Sequence, residues 1–132
     1  MFGNSSILSP VDLIAAQVDS ETLVLPTGSC IFSRGSDVDA IYAVRRGSVE
    51  LHSDTGEKIC YRSGELFSFQ DIAWREVAHR GDAVALTPVE IIRLDRIRFL
   101  NLVHNHPTLA LLLLGQQHRR LREQRASGAC CY

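Results

Sequence analysis

The side chains of this 132-residue chain that could do chemistry are scattered rather than grouped. His52 is followed by Ser53 and Asp54, with no second His on the predicted neighbouring strand, so the His-x-His motif of metal-binding barrels is absent. The four cysteines, at positions 30, 60, 130 and 131, have no paired spacing. The sequence has no Gly-rich phosphate loop, no G-x-S-x-G turn and no Cys-His pair at a spacing typical of a catalytic site. We predict no catalytic residue, no metal site and no cofactor.

Anion binding is the one chemistry that the composition favours. All of the 14 basic residues except Lys58 are arginines, whose planar guanidinium pairs with phosphate or carboxylate in a bidentate way. Biased codon usage is the alternative explanation. The formal net charge is −1, so the whole molecule has no field that attracts nucleic acid, and only local patches could do so.

Length and composition also limit the setting of the protein. A chain of 132 residues forms one domain and is large enough to need no disulfide. Cys30 and Cys60 lie in apolar runs, where a free Cys behaves as a small hydrophobe, and this predicts a reducing, cytoplasmic compartment. Residues 1–20 lack a signal peptide, and the apolar run from Leu109 to Leu114 is far shorter than the ~20 residues of a membrane span. We therefore predict no contact with a membrane.

The elements that must position any binding site are mainly β-strands. Ser9-Pro10 predicts a short lead-in helix, with a Ser cap followed by a Pro at the first helical position. From Thr22 the apolar residues alternate with a period of two, and glycines at 28, 35, 47, 56 and 64 separate the runs. Asp54-Thr55-Gly56 is typical of a hairpin turn. This pattern predicts an antiparallel barrel or jelly roll of about eight strands between Thr22 and Leu94.

A first C-terminal helix is predicted directly after the strands. Asp95 is a suitable N-cap for it. The helix should end at Asn105-His106, because the residue before Pro107 is disfavoured in the α conformation. Its predicted apolar face consists of Ile97, Leu100 and Val103.

A second helix, from Thr108 to Arg125, predicts how the protein assembles. Leucines at 111, 112, 113 and 114 cover every face of one turn, so the helix needs a second apolar surface besides the barrel. Steps of three and four residues define the seam of a short two-stranded coil. We predict a homodimer whose interface includes Leu111, Leu114, His118 and Leu121, with Arg125 continuing the seam. The alternative is a monomer core with a single exposed leucine.

Four motifs occur in an order and spacing that match one protein family. Leu23 to Gly35 is similar to an opening hairpin, Ile41 to Gly47 to a "YxVxxG" strand, Gly64 to Phe67 to "GDxF", and Asn105 to Leu109 to "HPxL". Together they resemble the cyclic-nucleotide-binding domain of the catabolite-activator and fumarate-nitrate-regulator superfamily. Each motif alone is weak, but the series spans most of the chain.

The resemblance implies a domain organisation. It implies a mainly β, double-stranded β-helix (jelly-roll) domain with C-terminal helices. Residues 1–20 would be the lead-in, 21–104 the β-roll with the first C-terminal helix, 105–126 the dimerisation helix and 127–132 a tail containing Cys130 and Cys131. Regulators of this family continue into a helix-turn-helix domain, for which the remaining residues are too few. We therefore expect no DNA contact through this chain alone.

The resemblance also places a ligand site, in the segment called the phosphate-binding cassette. In members that bind cyclic AMP or cyclic GMP, a helix start cradles the phosphate, an Arg pairs with it and a Glu binds the ribose hydroxyl. Counting from Gly64 and from Ala83 puts the cassette Gly at Ser68, the Glu at Phe69, the Arg at His79, the hydroxyl residue at Arg80 and the following Ala at Gly81. The spacing of these positions, which we call the family frame, matches the family, but the residues at the positions differ.

Each change has a chemical consequence. Phe69 cannot accept a hydrogen bond from ribose. His79 is a poor phosphate ligand when neutral, although it can bind an anion when protonated. Arg80, one residue along a strand, should face the opposite side. Glu65 has a structural role at the turn in this family. The candidate ligand-binding residues are Gly64, Glu65, Phe67, Ser68, Phe69, His79 and Arg80.

The resemblance thus implies a non-catalytic, effector-sensing regulatory domain that signals through a dimer helix. Its ligand would be a small anionic effector other than a standard cyclic nucleotide. Two alternatives remain, a degenerate, ligand-free dimerisation or protein-interaction module and a true cyclic-nucleotide-binding domain of a transcription regulator. Branches that bind an organic acid use an Arg in the middle of the dimer helix, where this chain has Gly115-Gln116-Gln117. The iron-sulfur branch is excluded, because residues 1–29 contain no Cys.

Overall fold

The computed structural model describes residues 9–68 and 77–116 of the chain. It begins with helix α1, Pro10–Ala15, whose N-cap Ser9 accepts a hydrogen bond from the amide of Asp12 at 3.2 Å. Val11 and Ile14 are the buried residues of this helix. The short lead-in helix predicted from Ser9-Pro10 is therefore confirmed.

The described residues contain eight strands in two four-stranded antiparallel sheets, which confirms the predicted jelly roll. The first sheet has the order β1-β8-β3-β6 and the second the order β2-β7-β4-β5. The strands are β1 Glu21–Leu25, β2 Cys30–Phe32, β3 Ala40–Arg46, β4 Ser48–Ser53, β5 Lys58–Arg62, β6 Leu66–Phe67, β7 Gly81–Ala85 and β8 Val89–Asp95. Each of the five glycines used to predict the turns has a positive φ, between 88° and 94°.

Strand β3 separates two cores. Residues 40–44 are buried without interruption, as expected for a strand covered on both faces. Ile41 and Ala43 face the helices, in a core shared with α1 and the C-terminal helices. Tyr42 and Val44 face the second sheet, in a core that fills the inside of the roll. The candidate site borders this inner core.

Two helices follow the strands. Helix α2, Arg96–Asn105, is capped by Asp95, whose side chain accepts from the amide of Arg98 at 2.8 Å. Helix α3 begins at residue 107 and is helical to residue 116, where the described part ends. The predicted cap and the break before Pro107 are confirmed.

The predicted buried face of α2 is wrong. Phe99 and Leu102 are its buried residues, whereas Ile97 is 72% and Leu100 49% exposed. The helix has two apolar stripes, and the stripe that contains Phe99 is the one that packs against the roll. Cys30 is also exposed rather than packed as a small hydrophobe, and both Cys30 and Cys60 are free thiols. Within the described ranges, no helix has the length and apolar character needed to cross a membrane.

Gly81 is the glycine that the packing requires most directly. A Cβ at this position would press against the carbonyl oxygen of His52 on the paired strand β4. We expect Gly81→Ala to lower the free energy of unfolding by about 1–3 kcal/mol, because the two strands must separate locally. Gly115→Ala is the matched control, since nothing lies within 4 Å of a Cβ there and alanine favours a helix. Urea unfolding should give opposite shifts for the two variants, and a neutral Gly81→Ala would contradict the close strand contact.

Candidate functional site

A cavity of about 140 Å³ opens beside the inner core. It lies at the end of the second sheet where β4 pairs with β5 on one side and with the start of β7 on the other. Two of the predicted site residues, His79 and Arg80, line it directly. Its full lining is Phe32, Leu51, His52, Ser53, Ile59, His79, Arg80 and Gly81. Pockets for drug-sized ligands usually measure about 300–1,000 Å³, so the space offered by the described residues suits only a small molecule.

His79 and Arg80 lie on opposite sides of the chain. His79 is 3% exposed, whereas the Arg80 side chain is 66% exposed. The backbone holds His79 firmly, because its amide donates to Ser36 and its carbonyl accepts from Gly35, both at 2.8 Å. Period-two alternation next to β7 thus places an imidazole inside and a guanidinium outside. The position that the family frame gives to a phosphate-binding Arg is occupied by a buried ring.

The His79 ring is packed face to face on Phe32. The two ring centroids are 3.6 Å apart and the ring planes differ by 10°. Phe32 also contacts Phe67, with centroids 6.2 Å apart, and Phe67 stacks on Tyr42 at 5.2 Å. Tyr61 completes the aromatic cluster, 5.5 Å from Phe67. Aromatic rings therefore fill the inside of the roll next to the cavity.

Arg80 lies at the rim of the cavity near the β4–β5 hairpin. Its Nε is 3.8 Å from Oδ2 of Asp54, a loose ion pair. His52, also at the rim, contacts the carboxylate of Glu50 two residues earlier on the same strand. The apolar wall is formed by Phe32, Leu51 and Ile59. The cavity thus combines an apolar floor with a cation at its edge, which suits a small molecule with an apolar body and one anionic group.

The remaining predicted site residues form the turn that leads to the cassette. Gly64 has a φ of 94°, and its amide donates to the carbonyl of Val44 at 2.8 Å. Glu65 accepts from the amide of Arg62 at 2.8 Å, which agrees with its expected structural role. Phe67 belongs to the aromatic cluster, and Phe69 lies outside the described residues.

Ser68 has a backbone conformation that is unusual for a residue with a side chain. It is 2% exposed and is the one non-glycine residue in the described ranges with a positive φ, 77°. Side chains with a Cβ rarely adopt this region, which glycine enters freely. Ser68 is the residue to which the sequence count assigned the cassette Gly, and that assignment stays a prediction.

A polar network elsewhere in the roll was not predicted from the sequence. Arg93 on β8 pairs with Glu21 at 3.0 Å and with Asp39 at 3.3 Å, and it also interacts with Tyr42, its partner in the β3–β8 register. Burial raises the pKa of the Tyr42 hydroxyl, and Arg93 partly offsets that rise. Two carboxylates neutralise Arg93, so this network holds strands together rather than offering a second anion site.

Helix α3 presents two different faces. Leu109, Leu113 and Gln116 are buried against the roll, whereas Leu111 is 67% and Leu114 65% exposed. Leu112 is 45% exposed as well, so the alternative of a single exposed leucine is wrong. His118 and Leu121, the other two predicted interface residues, lie outside the described residues.

Gln116 is the residue of this helix whose contacts were missed by the sequence reasoning. Its side chain makes two hydrogen bonds to the backbone of Leu66, 50 positions earlier. A buried glutamine in a Gly-Gln-Gln stretch gives no local indication of such a partner.

Within the described residues, no group of three or more His, Cys, Asp or Glu side chains could hold a metal ion.

The sequence matches the family model of the cyclic nucleotide-binding domain over residues 22–106. No curated protein matches it. Among solved structures, the c-di-GMP responsive global regulator CLP of Xanthomonas campestris shares 18% identity at a TM-score of 0.73, over 83% of this chain and 58% of that chain. The catabolite activator protein of Thermus thermophilus shares 28% identity at a TM-score of 0.68, over 92% of this chain and 58% of that one.

A third similar structure is that of a sensor domain. It is the sensor domain of the transcriptional regulator DNR from Pseudomonas aeruginosa, with 21% identity and a TM-score of 0.67, over 78% of this chain and 75% of that chain. The present chain spans 58% of the length of the CLP and catabolite activator chains. The likeness to CLP and DNR concerns the fold.

Proposed function

Because this chain belongs to the cyclic nucleotide-binding domain family, we propose that it is a non-catalytic, effector-sensing regulatory domain whose effector is not a standard cyclic nucleotide. In this proposal, the domain forms a homodimer through α3 and transmits the state of the cavity to that helix. It acts in the cytoplasm. The similar structures include a global regulator, a catabolite activator and the sensor domain of a transcriptional regulator, which supports a regulatory role.

The observation that carries the proposal is the position of His79. The frame gives this place to the Arg that pairs with a cyclic phosphate, and here a buried imidazole lies flat on Phe32. A neutral imidazole supplies one N–H donor and no full charge, whereas a phosphate needs a charge-assisted, multidentate partner. Arg80 carries the charge, but on the outside of the roll. The phosphate of a cyclic nucleotide would therefore lie against the rings of His79 and Phe32, where it needs a cation.

The size and lining of the cavity indicate the kind of effector. About 140 Å³ between Phe32, Leu51 and Ile59 accommodates a single small ring or a short aliphatic body. Arg80 lines the rim of the cavity and carries a guanidinium, a group that pairs well with a carboxylate. We infer a small organic acid with an apolar body.

The aromatic packing also favours a second candidate function, a ligand-free dimerisation or protein-interaction module. Phe32, Tyr42, Tyr61, Phe67 and His79 already fill the inside of the roll. A domain that needs no effector gains stability by such filling. The two candidates differ in whether the remaining cavity takes up a small molecule.

A thermal-shift experiment with small acids tests the effector proposal. We expect benzoate at ~10 mM to raise Tm by about 3–6 °C if its Kd is ~1 mM, since binding to the folded state alone stabilises it by about 1.4 kcal/mol. Succinate, which has no apolar ring, should shift Tm less. Arg80→Gln should remove the benzoate shift, and Arg45→Gln is the matched control because Arg45 is a half-exposed arginine that pairs with Glu90 instead.

Two outcomes would change the proposal. Identical Tm values with and without every acid would favour the ligand-free module. A shift that survives in Arg80→Gln would place the anion elsewhere on the surface. Cyclic AMP and cyclic GMP serve as further probes in the same series and should leave Tm unchanged.

A further inference from the structure

Among the described residues, strand β6 lies at the edge of its sheet, and a side chain forms hydrogen bonds to its backbone there. It is the last strand in the order β1-β8-β3-β6, and it contains only Leu66 and Phe67. The amide of Val44 donates to the carbonyl of Glu65 at 2.9 Å, which is one bond of a hydrogen-bonded pair, while the carbonyl of Val44 accepts from Gly64 instead. Such pairs alternate with non-hydrogen-bonded pairs in an antiparallel ladder. The amide and carbonyl of Leu66, which lies opposite Ala43, therefore point away from β3.

Gln116 on helix α3 takes both of these backbone groups. The amide of Leu66 donates to Oε1 of Gln116 at 3.0 Å, and Nε2 of Gln116 donates to the carbonyl of Leu66 at 2.7 Å. The primary amide thus makes the two hydrogen bonds that a neighbouring strand would make to Leu66. Leu66 is 0% and Gln116 3% exposed, so water is a poor substitute for either bond. Moving α3 along or around its axis would break both bonds together.

The position of Gln116 links two parts of the molecule. On one side, Leu66 stands two residues before Ser68, where the chain turns into the cassette, and next to Phe67 in the aromatic cluster that reaches His79 through Phe32. On the other side, Gln116 belongs to the inner stripe of α3, opposite the exposed Leu111 and Leu114. A displacement of β6 would therefore shift or break the two bonds between Leu66 and the helix that carries the proposed dimer seam.

We propose that Gln116 is the positioning residue that couples the ligand site to the dimer helix. Through it, the conformation of β6 sets the orientation in which α3 presents Leu111 and Leu114 to a second copy of the chain. This inference rests on the proposed homodimer. Coupling between two sites is reciprocal, so dimerisation must protect the Leu66 backbone by the same factor by which the Gln116 contact strengthens the dimer.

The test replaces the amide without changing the length of the side chain. We expect Gln116→Met to raise the dimer dissociation constant, measured by sedimentation, about tenfold, within the usual range of coupling between sites. A residue with a purely structural role would lower stability but leave the dissociation constant of the folded molecules unchanged. Gln17→Met is the matched control, because the Gln17 amide bonds only locally, to the carbonyl of Leu13 at 3.0 Å.

A second measurement leaves Gln116 intact, in case Gln116→Met fails to fold. In the double variant Leu111→Glu with Leu114→Glu, which we expect to be monomeric, hydrogen exchange of the Leu66 amide should be about tenfold faster than in the dimer, by the same reciprocity. Exchange of the Val24 amide, in the strand at the opposite edge of the same sheet, should not change. A dimeric wild type with equal dissociation constants for wild type and Gln116→Met, or equal Leu66 exchange in monomer and dimer, would overturn this inference alone. A wild type that is monomeric at ~100 µM would overturn both this inference and the proposed dimer.

Discussion

Replacing both Leu111 and Leu114 by glutamate is expected to convert a homodimer into a folded monomer. The two leucines are 67% and 65% exposed in the single chain, one helical turn apart on the side of α3 that faces away from the roll. In a two-fold seam, the substitutions would bring two carboxylates from each protomer into one apolar contact. Burying unpaired charges costs several kcal/mol, so the dissociation constant should rise at least about a thousandfold. Sedimentation of the purified chain measures this directly.

The control for this change is Ile97→Glu, because Ile97 is similarly exposed, at 72%, but lies on helix α2 outside the seam. It should leave both the fold and the dimer intact. Circular dichroism should show the strand content of the wild type in each variant. If the double variant stayed dimeric, the contact between protomers would lie elsewhere and α3 would not be the signalling helix.

Cyclic AMP is expected to bind to this chain weakly or not at all. The missing Glu at position 69 and the missing Arg at position 79 each remove a charge-assisted bond of about 1.5–3 kcal/mol, which together lower the affinity by on the order of 10²–10⁴. The double change Phe69→Glu with His79→Arg should recover a measurable part of that loss for cyclic AMP. It would place a cation where the imidazole now stacks on Phe32, and an acceptor for the ribose hydroxyl.

The two single variants are the controls, since each restores one partner only and should bind less tightly than the double variant. Ser68 is left unchanged in all three variants, so that its φ of 77° is common to them. A folded double variant with no gain in affinity would mean that the cassette has a different geometry. The residue-by-residue transfer from the family would then be wrong at the site, although the fold would stand.

Much of the fold could be predicted because its determinants are local. The caps Ser9 and Asp95 and the positive-φ glycines act within a few residues, and period-two alternation is a property of each strand alone. The buried face of α2 could not be predicted, because Ile97 and Phe99 lie on two stripes of similar hydrophobicity and the roll decides between them. Local patterns do not contain that choice.

Part of the arrangement around the site could be predicted from local alternation, but its contacts could not. Alternation along the strand predicts His79 inside and Arg80 outside, as the exposures of the two side chains have it, whereas the assignment of the cassette Gly to Ser68 stays a prediction. The stack of His79 on Phe32 joins residues 47 positions apart in the chain, and Gln116 reaches 50 positions back to Leu66. Such contacts depend on how the two sheets and α3 come together, for which a single sequence carries no periodic pattern.

Isothermal titration calorimetry of the wild-type chain with cyclic AMP and cyclic GMP at pH 7.5 tests the central claim most directly. With a buried, ring-stacked His79 at the predicted place of the Arg, and with Arg80 at the rim only, a cyclic phosphate would have no arginine inside the roll. We therefore expect no saturable heat with either nucleotide at concentrations up to ~100 µM, which corresponds to binding weaker than about 5.5 kcal/mol. A micromolar or tighter constant, with one nucleotide bound per chain, would contradict the account and assign the domain to ordinary cyclic nucleotide sensing.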